Sequence, residues 1–134
     1  MVIISDRLYV GASIEDVKKD VIKGLKKKQF QPGLYCITLP QEDGNILDIR
    51  RAATLRDYTV KAGKISLGLR FKKTTVDDII VVGIALGRSE AIDVASQIVQ
   101  DIYCNTNTFD TKNYFGYEVW NMTETVCLVL YSRY

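Results

Sequence analysis

The chain contains no histidine in its 134 residues. That absence removes the usual general base near neutral pH, the usual partner of a serine or cysteine nucleophile, and the commonest metal ligand. Cysteine is scarce as well: Cys36, Cys104 and Cys127 are widely spaced and form no Cys-x-x-Cys pair, which speaks against a structural zinc site and against a disulfide framework. Cys36 and Cys127 fall inside apolar strand patterns, where a buried small hydrophobe is expected, and Cys104 falls at a helix end, where exposure is expected. Also missing are a phosphate loop with its lysine, a dinucleotide fingerprint around Gly83 and Gly87, an apolar run near the about 20 residues a spanning helix needs, and an N-terminal basic-then-apolar leader. The expectation is a cytoplasmic protein that uses no metal and no cofactor and contacts no membrane; the lack of a recognisable catalytic constellation leans against an enzyme, and an enzyme working without histidine stays open as a third reading. Two carboxylate pairs, Glu42-Asp43 and Asp77-Asp78, lie in turn sequences, where such residues serve solubility and chain reversal.

What is present is ordinary for a globular chain: 47% apolar and 25% charged residues, consistent with a single α+β domain over 1–134. The strongest local signal is Ile79-Ile80-Val81-Val82-Gly83-Ile84-Ala85-Leu86. It is short, rich in β-branched residues and free of polar alternation, as a strand covered on both faces would be. A glycine-serine turn, Gly87-Arg88-Ser89, leads from it into a helix that runs to about Cys104, with Ser89 as the cap and Glu90 at the positive end of the dipole. Ala91, Val94, Ala95, Ile98, Val99 and Ile102 fall on one side of this helix; Asp93, Ser96, Gln97, Gln100 and Asp101 fall on the other.

Toward the N-terminus, Val2-Ile3-Ile4 and Leu8-Tyr9-Val10 are apolar pieces separated by Ser5-Asp6-Arg7, read as one bent strand or two short ones. Ser13 is the expected cap of a first helix whose apolar stripe is Ile14, Val17, Val21 and Leu25 and whose other side carries Lys19, Lys23, Lys26 and Lys27. Gln31-Pro32-Gly33 ends that helix, and Leu34 to Leu39 makes a strand. Residues 46–58 have poor periodicity and are read as a short helix, with Arg50, Arg51 and Arg56 placed to flank a carboxylate or phosphate. Lys64 to Lys72 alternates cleanly, Ile65, Leu67, Leu69 and Phe71 against Lys64, Ser66, Gly68, Arg70 and Lys72, and is expected to pair with 79–86 as an antiparallel hairpin. Strands are also expected over Tyr114–Trp120 and Thr125–Tyr131, closing the chain on a C-terminal hairpin.

Gly11-Ala12-Ser13 and Gly87-Arg88-Ser89 stand at matching places, each between a strand and a helix. Two β-α-β units in sequence predict a mixed, mostly antiparallel sheet with both helices on one face, similar in architecture to the ferredoxin-like fold or a variant of it. Function is less legible. The first expectation is an interaction or assembly domain that self-associates through Tyr114, Phe115, Tyr117 and Trp120, residue types that anchor interfaces. The second is a binder or sensor of a small anionic ligand, or less favourably of nucleic acid. Its site would combine Gly87, Arg88 and Ser89 at the helix start with the basic strand residues Lys64, Arg70 and Lys72. Charge is unevenly spread: residues 1–73 hold 15 Lys/Arg against 8 Asp/Glu, and residues 74–134 hold 3 against 8, a split that suits an anionic partner or the docking of unlike halves.

Overall fold

The structure, a computed structural model, describes residues 1–41, 44–62, 72–75 and 78–120. Strand β1 is Val2–Val10; a 3-10 turn over Ala12–Val17 leads into helix α1, Lys18–Lys26. β2 (Leu34–Thr38) and β3 (Asp48–Arg51) follow, then a 3-10 turn over Ala52–Leu55 and the short β4, Val60–Ala62. β5 (Lys72–Thr75), β6 (Ile79–Leu86), α2 (Arg88–Thr106), α3 (Thr111–Phe115) and β7 (Tyr117–Trp120) complete the described elements. Five strands form one mixed sheet in the order β3-β2-β6-β1-β4, and β5 and β7 pair with each other in parallel. Among the described residues no helix is long and apolar enough to cross a membrane.

β6 is the centre of the sheet. It lies between β1, which runs parallel to it, and β2, which runs antiparallel. Its residues Ile79, Ile80, Val81, Val82, Ile84 and Ala85 are all buried, and they divide between two layers. Ile79, Val81 and Ile84 pack with Ile14, Val21 and Leu25 from the first helical segment; Ile80, Val82 and Ala85 pack with Ala91, Val94, Ile98 and Ile102 of α2. The pairing with β2 skips Val82, opposing Ile37 to Gly83 and Thr38 to Val81, and this bulge resets which face each later residue takes. At Gly83 α2 comes close: a Cβ there would lie 3.1 Å from Val94 Cγ1, so the helix would have to move outward to admit any side chain.

This arrangement corrects three expectations. The helices cover opposite faces of the sheet, not one, because a strand without polar alternation needs an apolar layer on each side. The sheet is not mostly antiparallel: β1 is parallel to both β4 and β6, while β2 is antiparallel to β3 and β6. β1 and β2 therefore run in opposite senses with β6 between them, so the first strand-helix-strand unit is not the parallel crossover that a split β-α-β sheet requires. Nor does β6 have a free side for an antiparallel hairpin partner, since β1 and β2 take both. The long stretch from Leu39 to Asp78 leaves the direction of β6 to side-chain packing and not to a tight turn. Of the strand expected over 64–72 only Lys72 belongs to the described residues, as the first residue of β5; the strand expected over 125–131, and Cys127 within it, lie outside them.

Smaller departures have local causes. β1 is one strand whose register with β6 shifts between Ile4 and Tyr9; within the shift Ser5 is buried and its Oγ accepts the Arg7 N–H at 3.2 Å. Residues 46–58 are not a helix. Asp48–Arg51 pairs with β2 at the sheet edge, Ile49 opposite Ile37, and one 3-10 turn then buries Ala52 and Leu55. The strand expected over 114–120 begins only at Tyr117, because Asp110 caps α3 by accepting the Asn113 N–H and carries the helix through Phe115.

Trimming one methylene from each layer measures the two-sided burial. Ile14→Val on the α1 side and Ile98→Val on the α2 side should each cost about 1 kcal/mol in urea denaturation. The double variant should equal the sum to within about 0.5 kcal/mol, since the strand separates the sites.

Candidate functional site

Register brings several chain ends to one end of the sheet. Leu86, the last residue of β6, pairs with Leu34, the first of β2; Tyr35 pairs with Arg51, the last of β3; Val10, the last of β1, pairs with Ile84. The parallel neighbours β1 and β6 both finish here and then part, β1 toward α1 on one face and β6 toward α2 on the other. A crevice at such a divergence is where open α/β sheets hold ligands. Here it is a cleft of about 640 Å³ lined by residues 9–12 of the first turn, 86–90 of the second, and Asp93, Val94 and Gln97 of α2.

The two glycine-serine turns meet in this cleft. Ser13 Oγ donates to Glu90 Oε1 at 2.8 Å, and the same carboxylate oxygen accepts the Leu86 N–H at 3.1 Å. Gly11 donates its N–H to the Ile84 carbonyl at 2.8 Å, and a Cβ at Gly11 would overlap the Glu90 carboxyl. Neither serine acts as the helix cap expected of it. Gly11 and Gly87 stand at the two N-caps without a side-chain bond, and Glu90 reaches back past the N-cap of α2 to the Leu86 N–H. The Ser13 hydroxyl holds the Glu90 carboxyl below its ordinary range, against the opposing effect of burial and with help from the Leu86 N–H.

The structure places Gly87, Arg88 and Ser89 together at the mouth of the cleft, with Arg88 and Ser89 exposed. They share it with two carboxylates, Glu90 and Asp93, so the helix start is not a cationic site. The Gly87 N–H is already taken by the Gly33 carbonyl at 2.7 Å. Lys64 and Arg70 lie outside the described residues, and Lys72 contributes its backbone to β5. The three arginines of 46–58 separate: Arg50 pairs with Asp48 at 3.9 Å and donates to Gln41 Oε1 at 3.3 Å, while Arg51 and Arg56 are exposed near the start of β2.

Two of the four aromatics, Tyr114 and Phe115, are placed differently from the interface expected of them. Phe115 is 2% exposed and packs in the α2 layer. Tyr114 is half-buried against it, their rings edge to face at 5.1 Å, with the Arg7 guanidinium 4.9 Å from the Tyr114 ring centre. Tyr114 Oη lies 3.1 Å from Tyr9 Oη, which in turn donates to Asp101 Oδ2 at 2.7 Å. These two aromatics thus tie β1, α2 and α3 together and offer little free surface. Tyr117 and Trp120 contribute described backbone to β7. Cys36 is fully buried, and burial pushes its thiol up to about 12, opposed by Arg50; it is an inert packing residue.

Exposed apolar surface collects elsewhere. Ile92, Ala95, Val99 and Tyr103 make a second stripe on α2, one residue out of phase with the buried stripe Ala91, Val94, Ile98 and Ile102. Together with Ile46, Leu47 and Ile49 beside the sheet edge and Phe109, which stacks on Tyr103 at 5.2 Å, they line a groove of about 700 Å³. The sequence carried this signal in Ile92 and Tyr103, which fit neither the apolar nor the polar side assigned to that helix.

Burial first, then the bonds to Tyr114 and Asp101, raise the Tyr9 hydroxyl well above its ordinary 10.0. A group raised on folding contributes stability that is complete below its unfolded value and is lost as the pH climbs above it. Tyr9→Phe should therefore cost about 1 kcal/mol at neutral pH and show a shallower fall in melting temperature than the wild type above about pH 10. An unchanged alkaline limb would remove Tyr9 as its source.

Compared with known proteins, the chain matches no family model, no curated protein and no solved structure at a significant level.

Proposed function

We propose that this chain is a non-catalytic assembly domain that self-associates through the groove between α2 and the β3 edge. One observation carries the reading. Of the eight large hydrophobic residues that are exposed among the described ones, five, Ile46, Ile49, Ile92, Tyr103 and Phe109, line that single groove. Scattered exposed hydrophobes need no explanation, whereas a contiguous patch marks a surface that something covers.

A second copy suits it for two reasons. β3 pairs only with β2 among the described strands, so none of them takes its outer edge directly beside the groove, where a strand of a second copy could add. Antiparallel pairing of β3 with its own copy, centred on Ile49, would oppose Ile49 to itself and Asp48 to Arg50 twice, so the edge is complementary to itself in charge. A strand of four residues rich in charge resists indiscriminate pairing, and the same charges favour this one arrangement.

Ile92 and Tyr103 are 47% and 49% exposed, so polar replacements there should leave the monomer folded. In sedimentation velocity across a concentration series the wild type should shift from monomer to dimer, and Ile92→Glu with Tyr103→Asp should remain monomeric with an unchanged circular dichroism spectrum. A wild type that stays monomeric at millimolar concentration contradicts self-association. A double variant that dimerises as well as the wild type moves it away from this groove.

A further inference from the structure

We infer that a second cleft at the same end of the sheet binds a phosphorylated small molecule with an apolar body, of about the size of a nucleotide. The cleft, about 550 Å³, lies where α1 hands over to β2 and β3 hands over to its 3-10 turn. Its lining carries Lys28, Arg51 and Arg56 and no carboxylate. Three cations from two separate stretches of chain, with no acid among them, repel one another and call for an anion to offset that cost. The contrast with the neighbouring cleft is direct, since Arg88 there faces Glu90 and Asp93. Among the described residues neither Arg51 nor Arg56 forms an ion pair, while Arg50, which precedes Arg51 on the other side of the strand, is engaged by Asp48.

Lys28 gives a second, independent sign. Helix α1 ends in a motif in which the Gln29 N–H bonds the Gly24 carbonyl at 2.8 Å and the Lys28 N–H bonds the Leu25 carbonyl at 3.4 Å. The residue between, Lys28 itself, has φ 62, the left-handed conformation that such motifs ordinarily give to glycine. Its Nζ donates to the Leu55 carbonyl at 3.3 Å, which brings α1 and the turn after β3 together around the cleft and holds the ammonium at its wall. A lysine kept where glycine is easier is accounted for by a charge needed at that place.

The rest of the wall defines the ligand. Phe30, Pro32 and Tyr35 give apolar surface beside the cations, so the space suits more than a bare phosphate. Guanidinium forks from Arg51 and Arg56 match phosphate oxygens in pairs, and the lysine adds a point charge. A concave cleft confined to these few residues fits a small molecule, whereas a nucleic-acid strand needs a track of cations along which phosphates repeat.

The test uses the full chain and four probes: ADP, inorganic pyrophosphate, adenosine and a single-stranded oligonucleotide. Titration calorimetry and thermal shift should show binding of ADP, weaker binding of pyrophosphate, and none of adenosine. Arg51→Ala and Arg56→Ala, both at exposed positions, should each weaken ADP binding about tenfold with unchanged spectra and melting temperature in the absence of ligand. Failure of both ADP and pyrophosphate to bind at millimolar concentration would overturn the inference. So would ADP binding that persists in the double variant, adenosine binding as tightly as ADP, or an oligonucleotide that binds without being displaced by ADP.

Discussion

The burial of β6 on both faces is the constraint on which the rest of this fold depends. Eight residues from Ile79 to Leu86 contain no charged or polar side chain, so neither face can meet water without exposing a row of β-branched hydrophobes. One face is closed by Ile14, Val21 and Leu25, the other by Val94, Ile98 and Ile102. Once the helices must lie on opposite sides, the chain leaving β1 and the chain leaving β6 must part at the end of the sheet. The cleft at that end is a consequence of the layering, not an addition to it.

Where the two turns part they are also tied together. Glu90 receives a hydroxyl from the first turn and a backbone N–H from the second, and Gly11 leaves room for its carboxyl. This couples the two helical layers across the top of the strands, as Tyr9 does on the α2 side through Asp101 and Tyr114. The matching Gly-x-Ser segments look like repeated architecture when read alone. In three dimensions they are partners in one structural joint: Glu90 takes the Ser13 hydroxyl and the Gly33 carbonyl takes the Gly87 N–H, so neither donor is left for an anion.

Much of this was legible in residue patterns, and the failures have identifiable causes. β6, α2 and the first helical segment declared themselves by period, because burial on a helix stripe or a strand face leaves a mark along the chain. The two-sided cover was also written in the missing polar alternation of 79–86; the contrary expectation of one-sided helices came from treating two strand-helix pairs as a crossover repeat. Strand direction left no such mark, since the residues between β2 and β6 are too many to fix it. At 48–51 a short edge strand with Arg50 and Arg51 carries no apolar period to read, and only its pairing with Tyr35, Cys36, Ile37 and Thr38 defines it. Tyr114 and Phe115 were assigned to a surface because their strand was assumed, when Asp110 starts a helix that turns Phe115 inward. The two surfaces that now carry functional weight depend on long-range proximity: Ile49 comes to line one groove with Ile92, and Lys28 one cleft with Arg51 and Arg56, only after the sheet is assembled.

The buried stripe of α2 fixes the helix on the sheet, and the same placement points its second stripe, Ile92, Val99 and Tyr103, across the outer edge of β3. The core and the proposed interface are thus two faces of one helix, adjacent along its surface. Amide hydrogen exchange of the wild-type chain, followed at low and at high protein concentration, tests this account most directly. β6 should be the most protected strand at both concentrations, and the amides of Asp48–Arg51 should gain protection as the concentration rises. Rapid exchange in β6, or protection of β3 that does not depend on concentration, would contradict it.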